Sequence, residues 1–122
     1  MSMQHIDLSN LEHLFKGNQS RMDEWMRLYM QEAPAYFKQL SESLATGEAE
    51  TLAAAAHDLR PQAHYLGSAR MLELLVAIED HARNKGTADC SELLSALFAV
   101  RDAIDDELRT VLKGSGDDHQ NR

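Results

Sequence analysis

The stretch TLAAAAHDLRPQAHYLG, residues 51–67, decides the fold of this chain. Five of its apolar residues recur at the spacing of one helix face, which predicts an amphipathic helix that buries Leu52, Ala56, Leu59, Ala63 and Leu66. His57 lies roughly 140° from this stripe at ~100° per residue, so it faces solvent. Its predicted neighbours are small or cationic side chains: Ala53, Ala54, Arg60, Pro61 and, one turn further, His64. Such a face indicates a surface that another molecule approaches closely.

The rest of the chain predicts more helices of the same amphipathic kind. Helix-forming residues dominate, and the 122 residues contain only two prolines and six glycines. Apolar periodicity, cap residues such as Ser9, Ser20 and Ser68, and terminal glycines predict helices over about residues 9–16, 20–47, 48–66, 68–84 and 89–113. Pro34 is expected to kink the second helix.

Short connections between long amphipathic helices favour antiparallel neighbours. The sequence therefore predicts an all-α fold, an up-down antiparallel four-helix bundle with a short extra N-terminal helix across one end. The polar run from Gly114 to Arg122 is expected to be disordered. This organisation is one helical domain over residues 1–113 and a tail over residues 114–122.

Composition excludes several classes of function. The formal net charge of −8 argues against nucleic acid as a partner, because a phosphate backbone requires a basic footprint. The single cysteine, Cys90, cannot form an internal disulfide, and no N-terminal apolar stretch resembles a signal peptide or a membrane span. We therefore expect a cytoplasmic protein that does not enter a membrane.

The chemistry near His57 is that of a nucleophile. A neutral imidazole is a competent nucleophile near pH 7, because its unperturbed pKa is about 6.5. Arg60, three residues on, can hold a guanidinium beside a phosphoryl group on the ring, or it can pair with an acid such as Asp58 or Glu50. The chain contains no glycine-rich phosphate loop and no nucleotide motif, so catalytic power has to come from a partner.

Two further residues are candidates for contact with that partner. His64 lies two turns from His57, roughly 10.5 Å along the helix axis, which is too far for the pair to share a metal ion, and no metal site is predicted. His64 is therefore interpreted as a rim contact. Leu28 falls off the buried stripe of the second helix and is a candidate for a docking patch.

Six positions of the central stretch resemble the signature of histidine-containing phosphotransfer (HPt) domains. They are Ala56, His57, Leu59, the cation Arg60, Leu66 and Gly67; the family has a histidine, a Lys or Arg three residues later and a glycine ten residues later. The resemblance covers nearly the whole chain. It implies a monomeric phosphorelay intermediate that accepts a phosphoryl group on the outer ring nitrogen of His57, with Arg60 balancing the phosphate charge.

The resemblance also implies the partners and the docking surface. A receiver domain of a response regulator, or of a hybrid histidine kinase, donates the phosphoryl group from an aspartyl phosphate, and another receiver accepts it. The receiver brings Mg²⁺, and this chain binds no cofactor of its own. The docking surface would include Ala53, Ala54, Pro61, His64, Gly67 and Leu28.

The chain departs from the family at two positions. Ser68 stands where the family often has alanine, and Pro61 stands where it usually has glycine. Proline lacks the amide hydrogen that would bond the carbonyl of His57, and its ring crowds that carbonyl, so Pro61 predicts a break in the helix at the phosphoacceptor's own turn.

Two other functions compete for the same residues. His57, Asp58, Leu59 and Arg60 also resemble the phosphoacceptor box of sensor histidine kinases, in which a proline follows the histidine by five positions rather than four. That resemblance implies a dimeric phosphotransferase built from two chains. The other alternative is a non-catalytic module that docks receivers without carrying phosphate.

Overall fold

The computed structural model describes residues 4–120, with side chains as far as residue 114. Over this range the chain forms five helices, and their bounds are α1 Ser9–Leu14, α2 Gln19–Thr46, α3 Ala49–Leu66, α4 Ala69–Lys85 and α5 Cys90–Gln120. The backbone of α5 stays helical past Gly114, where the sequence predicts disorder, because each of the two glycines at 114 and 116 costs a helix only about 1 kcal/mol. Residues 121 and 122 of the predicted tail lie outside the described residues, and the domain boundary stays a prediction.

The four long helices pack in a closed ring. α3 packs against α4, α4 against α5, α5 against α2 and α2 against α3. The two diagonal pairs, α2 with α4 and α3 with α5, make no comparable contacts among the described residues. Consecutive helices are joined by short turns, so neighbours run antiparallel. The short α1 contacts α2 and α3. The predicted all-α bundle with an extra N-terminal helix is therefore confirmed.

The buried face of α3 is wider than its sequence stripe. All five predicted stripe residues are buried, and Ala53 and Ala55 are buried as well, with exposures of 0% and 2%. α3 lies between α2 and α4, and its small alanines let both neighbours cover its flanks. The prediction that Ala53 lies on the exposed face with His57 is wrong for this reason.

Side-chain caps account for some helix ends and not for others. Ser68 caps α4 by accepting a hydrogen bond from the amide of Met71 at 3.2 Å, as predicted. Ser9 does not cap α1. Its hydroxyl donates to the carboxylate of Asp7 at 2.6 Å, and hydrogen bonding from Ser9 lowers the pKa of Asp7. α2 begins after Asn18 rather than at Ser20, because the Asn18 side chain accepts from the amide of Arg21.

Pro34 and Pro61 both lie inside continuous helices. The predicted break at Pro61 does not occur, since α3 runs unbroken from Ala49 to Leu66. His57 and Pro61 are both exposed. The carbonyl of His57 that loses its amide donor therefore lies on a face open to water, which can supply the missing hydrogen bond.

The N-terminal segment is hydrogen-bonded to the C-terminal end of α3. The amide of Asp7 donates to the carbonyl of Leu66 at 2.8 Å, and the Asn10 side chain donates to the carbonyl of His64 at 2.8 Å. Gly67 ends the helix in the left-handed conformation, with φ of 65°. These contacts give the carbonyls at the end of α3 the partners that the helix itself cannot supply.

No helix within residues 4–120 combines the length and the apolar character that crossing a membrane requires.

Candidate functional site

His57 lies on the outer face of α3, and its side chain is 55% exposed, as the sequence predicts. It borders an open surface hollow of about 600 Å³. One face of α3 and one residue of α4 form this hollow, and the residues that line it are His57, Asp58, Arg60, Pro61, His64, Tyr65 and Leu72. The imidazole is therefore open to a large partner while its helix is held by the bundle.

A carboxylate from the neighbouring helix orients the imidazole. Both oxygens of Glu79, on α4, lie 3.1 Å from Nδ1 of His57. A carboxylate only accepts hydrogen bonds, so the tautomer that bonds it carries its hydrogen on Nδ1 and its lone pair on Nε2. Because the two ring nitrogens diverge, Nε2 faces away from Glu79. This arrangement leaves the lone pair of Nε2 on the side of the ring away from the carboxylate.

Two arginines complete the cluster around Glu79. Nη1 of Arg60 lies 3.2 Å from one carboxylate oxygen, and Nη2 of Arg83 lies 3.1 Å from the other. Arg60 also approaches Nδ1 of His57 to 3.4 Å. The acid that pairs with Arg60 is thus Glu79, and neither Asp58 nor Glu50 takes that place. Two guanidinium groups therefore share the one carboxylate of Glu79, while a second carboxylate, that of Asp58, lines the same hollow.

The same contacts set the ionisation of Glu79. Its side chain is only 14% exposed, and burial raises the pKa of a carboxyl group. Hydrogen bonds from His57, Arg60 and Arg83 and the charge of His57 act in the opposite direction, and together they hold the pKa of Glu79 below its ordinary value. Glu79 is therefore an anion at neutral pH.

The structure brings some of the predicted docking residues to the hollow and excludes others. Pro61 and His64 line it, and Ala54 is exposed on α3. Ala53 is buried and cannot contact a partner. Gly67 has a packing role, because a Cβ added there would lie 2.1 Å from the carbonyl oxygen of Asp7.

Leu28 is 48% exposed, as expected for a docking residue. It lies three residues after Trp25, whose ring packs edge-on against Tyr65 with centroids 5.9 Å apart. Tyr65 lines the hollow, so the helix that carries Leu28 runs beside it. A docking role for Leu28 stays a prediction.

Sequence reasoning missed the residues that α4 contributes. Glu79 and Arg83 are four residues apart, a spacing that places them on one helix face, but no pattern within α4 indicates which residue of α3 they meet. Leu72 and Tyr65 were likewise not predicted at the hollow.

The sequence model of the Hpt domain family matches residues 24–114 of this chain. The chain belongs to the Hpt domain family. Hpt domains perform histidine phosphotransfer in two-component phosphorelays, where they interact with receiver domains and kinases. The matched range includes all of α3 and α4 and therefore the whole cluster of His57, Glu79, Arg60 and Arg83. Searches among curated proteins and solved structures gave no significant match.

The ionised cluster predicts how the stability of this Hpt domain depends on pH. The pKa of Glu79 is lowered in the folded state, so its contribution is fully present above the unfolded-state pKa of about 4.3 and is lost as the pH falls through the lower folded-state value. Urea unfolding of wild type and Glu79→Gln at a series of pH values should give a difference in free energy of unfolding that shrinks below pH ~4.3.

Glu73→Gln is the control for this titration, because Glu73 also pairs with an arginine of α4 but is 70% exposed. At neutral pH its difference from wild type should be smaller than that of Glu79→Gln. A Glu79→Gln difference that stays constant between neutral and strongly acidic pH would contradict the prediction.

Proposed function

We propose that this Hpt domain is a phosphorelay intermediate that accepts a phosphoryl group on Nε2 of His57 from the aspartyl phosphate of one receiver domain and passes it to the aspartate of another. The observation that carries the proposal is the pairing of Nδ1 with Glu79, which leaves Nε2 free on an exposed face. Arg60, 3.4 Å from Nδ1, supplies a cation beside the same imidazole.

The transfer step follows from this tautomer. The lone pair on Nε2 attacks phosphorus, an N–P bond forms, and the P–O bond to the aspartate breaks with its electron pair leaving on the carboxylate. Nδ1 keeps its hydrogen, and the ring gains positive charge as the new bond forms. Glu79 stabilises that charge through the hydrogen bond at Nδ1, in the manner of a carboxylate that supports a catalytic histidine.

The partner would supply the rest of the chemistry. Mg²⁺ is expected on the receiver, where it would neutralise the charge of the transferring phosphoryl group, and this chain is expected to bind no cofactor of its own. A response-regulator receiver and the receiver of a hybrid histidine kinase are the two proposed kinds of partner. The hollow beside His57 offers either of them a wide approach.

A monomer is part of the proposal. Four helices of one chain already close a ring around one core, so a bundle shared between two chains, as in a dimeric kinase-like phosphotransferase, is not needed to bury the helices. A cytoplasmic location is proposed from the cysteine content, since Cys90 is free and buried.

The test is incubation of the full chain with phosphorylated receiver domains and Mg²⁺. We expect a phosphoprotein that is labile in acid and stable in base, as an N–P bond requires, and sedimentation should show a monomer. If every receiver of the organism leaves the chain unlabelled, the relay function is wrong, and receiver binding without labelling would establish the docking module in its place.

A further inference from the structure

A cleft of about 210 Å³ lies between α2 and α5. The four long helices follow one another around the ring, so this junction lies across the bundle from the junction of α3 and α4 that carries His57. Its α2 wall is apolar, with Met30, Pro34 and Phe37, and its α5 wall is charged, with Arg101, Asp102 and Asp105. A protein cavity of ~150 Å³ accommodates benzene, so this α2–α5 cleft has room for a short alkyl chain.

Asp105 contributes a carboxylate without a direct partner. On this face of α5, Arg101 binds Asp102 at 2.7 Å, and Arg109 binds Asp106 at 3.0 Å. Burial raises the pKa of Asp105, and the nearby charges of Arg109 and Arg101 only partly oppose that rise. A half-buried carboxylate of this kind retains a desolvation cost, which a bound cation would offset.

A buried hydroxyl beside the cleft also lacks a partner. Tyr29 is 5% exposed, and its hydroxyl makes no hydrogen bond among the described residues. Burial raises the pKa of Tyr29, and the charged groups that act on it are Asp105 and Arg101, which both line the cleft. The hydroxyl therefore lies at the buried end of the cleft. An unpaired buried hydroxyl is unfavourable, so a group that bonds it there is stabilised.

Pro34 frees a third polar atom at the cleft. Proline has no amide hydrogen, so the carbonyl of Met30, four residues before it, loses its helical donor. Met30 and Pro34 both line the cleft, which places this carbonyl at its wall. The three groups are thus a carboxylate, a hydroxyl and a carbonyl, and all three accept hydrogen bonds.

We propose that the α2–α5 cleft binds a primary ammonium group carried on a short alkyl chain. An ammonium group has three N–H donors and one positive charge, which match the three acceptors and the charge of Asp105. The apolar α2 wall, formed by Met30, Pro34 and Phe37, contacts the alkyl chain. The described residues include no group of three side chains that could hold a metal ion, so an organic cation fits the cleft better than a metal does.

Arg101 does not take the place of this cation. Its guanidinium donates to Asp102 at 2.7 Å and lies 4.5 Å from the ring centroid of Phe98 and 5.3 Å from that of Phe37. These partners engage its charge, which leaves the acceptors of the cleft to a ligand.

The experiment titrates the full chain with n-pentylamine, which is protonated at pH 7 as a lysine side chain is, with a pKa of about 10.4. Backbone amide signals followed by NMR locate the binding and give its affinity. Trp25, the only tryptophan of the chain, stacks on Tyr29 with ring centroids 5.8 Å apart, so its fluorescence reports on the same place. Two further ligands are n-pentanol, which has the same chain and no charge, and lysine blocked at both its amino and carboxyl ends.

We expect pentylamine to shift the amide signals of the cleft residues and the fluorescence of Trp25, and pentanol to bind about tenfold more weakly. Asp105→Asn should lower the affinity for pentylamine about tenfold and Tyr29→Phe about threefold, because each substitution keeps the side-chain shape and removes one partner of the ammonium group. Asp106→Asn is the matched control. It removes the same charge from the next residue of α5, whose side chain is 80% exposed and does not line the cleft, and it should bind pentylamine as wild type does.

Equal affinities for pentylamine and pentanol, signal shifts outside the cleft, or an affinity that Asp105→Asn or Tyr29→Phe leaves unchanged would overturn the inference. Blocked lysine separates the two sources of such a group. Binding as tight as that of pentylamine assigns the cleft to a lysine side chain of a partner protein, and weaker binding assigns it to a free amine. No residue of the cleft belongs to the cluster around His57, so labelling by receivers tests the relay function separately.

Discussion

Replacing His57 with glutamine is expected to reduce phosphoryl uptake from a phosphorylated receiver by more than about a thousandfold, to the level of the background. Glutamine has similar length and polarity, but its amide nitrogen has no available lone pair with which to attack phosphorus. The side chain is half exposed, so the substitution should leave the fold and its unfolding temperature nearly unchanged. Labelling with a radioactive phosphoryl donor, read together with thermal unfolding, measures both quantities.

His64→Gln is the matched control for this loss. His64 is also exposed on α3, two turns from His57, and it lines the same hollow. Its ring packs edge-on against Tyr65, whereas the ring of His57 is bonded to the carboxylate of Glu79. We expect this variant still to be labelled, with a rate lowered only by the loss of a rim contact. Label that persists in His57→Gln and disappears in His64→Gln would reassign the phosphoacceptor to His64.

Gly67→Ala is expected to lower the free energy of unfolding by about 3 kcal/mol, the largest stability effect of a single methyl group that we anticipate in this chain. Two costs combine at this position. The backbone has a φ of 65°, which strains any residue with a Cβ, and the added Cβ would lie 2.1 Å from the carbonyl oxygen of Asp7. The oxygen belongs to backbone that is hydrogen-bonded to Leu66, so relief requires the N-terminal segment to leave α3.

Gly47→Ala separates the two costs. Gly47 ends α2 in the same left-handed conformation, with φ of 73°, but a Cβ there would meet only Thr87 Oγ1 at an ordinary 4.0 Å. It should therefore lose only about 1 kcal/mol, the cost of the backbone strain. Chemical denaturation of both variants measures the difference. Equal losses would mean that the clash with Asp7 has no energetic consequence.

The exposure of His57 could be predicted because it depends on one helix alone. The apolar stripe from Leu52 to Leu66 defines an inside, and helical geometry then assigns every other position of α3 relative to it. The same stripe predicted Ala53 wrongly. A buried face widens when a helix has neighbours on both flanks, and the number of neighbours is a property of the bundle.

The ends of helices could be predicted only where a single residue determines where the helix begins or ends. Ser68 has no nearby competitor for the cap of α4, and the glycines at 47 and 67 adopt a conformation that other residues avoid. Ser9 has a competitor, since Asp7 accepts its hydroxyl and draws it away from the start of α1. A local motif such as the capping box therefore fails when a neighbouring side chain offers a stronger, charged partner.

The sequence by itself determined the class of the fold, and it predicted the exposed histidine that we propose as the nucleophile and the cation three residues beyond it. These depend on local periodicity and on intrinsic side-chain chemistry, both of which are properties of the residues of a single helix. Only the tertiary structure decided which acid orients His57, which second arginine joins it, and why Gly67 tolerates no side chain. Glu79, Arg83 and Asp7 reach the site from other segments, and the alignment of one segment against another is set by packing of the whole bundle, which no local pattern encodes.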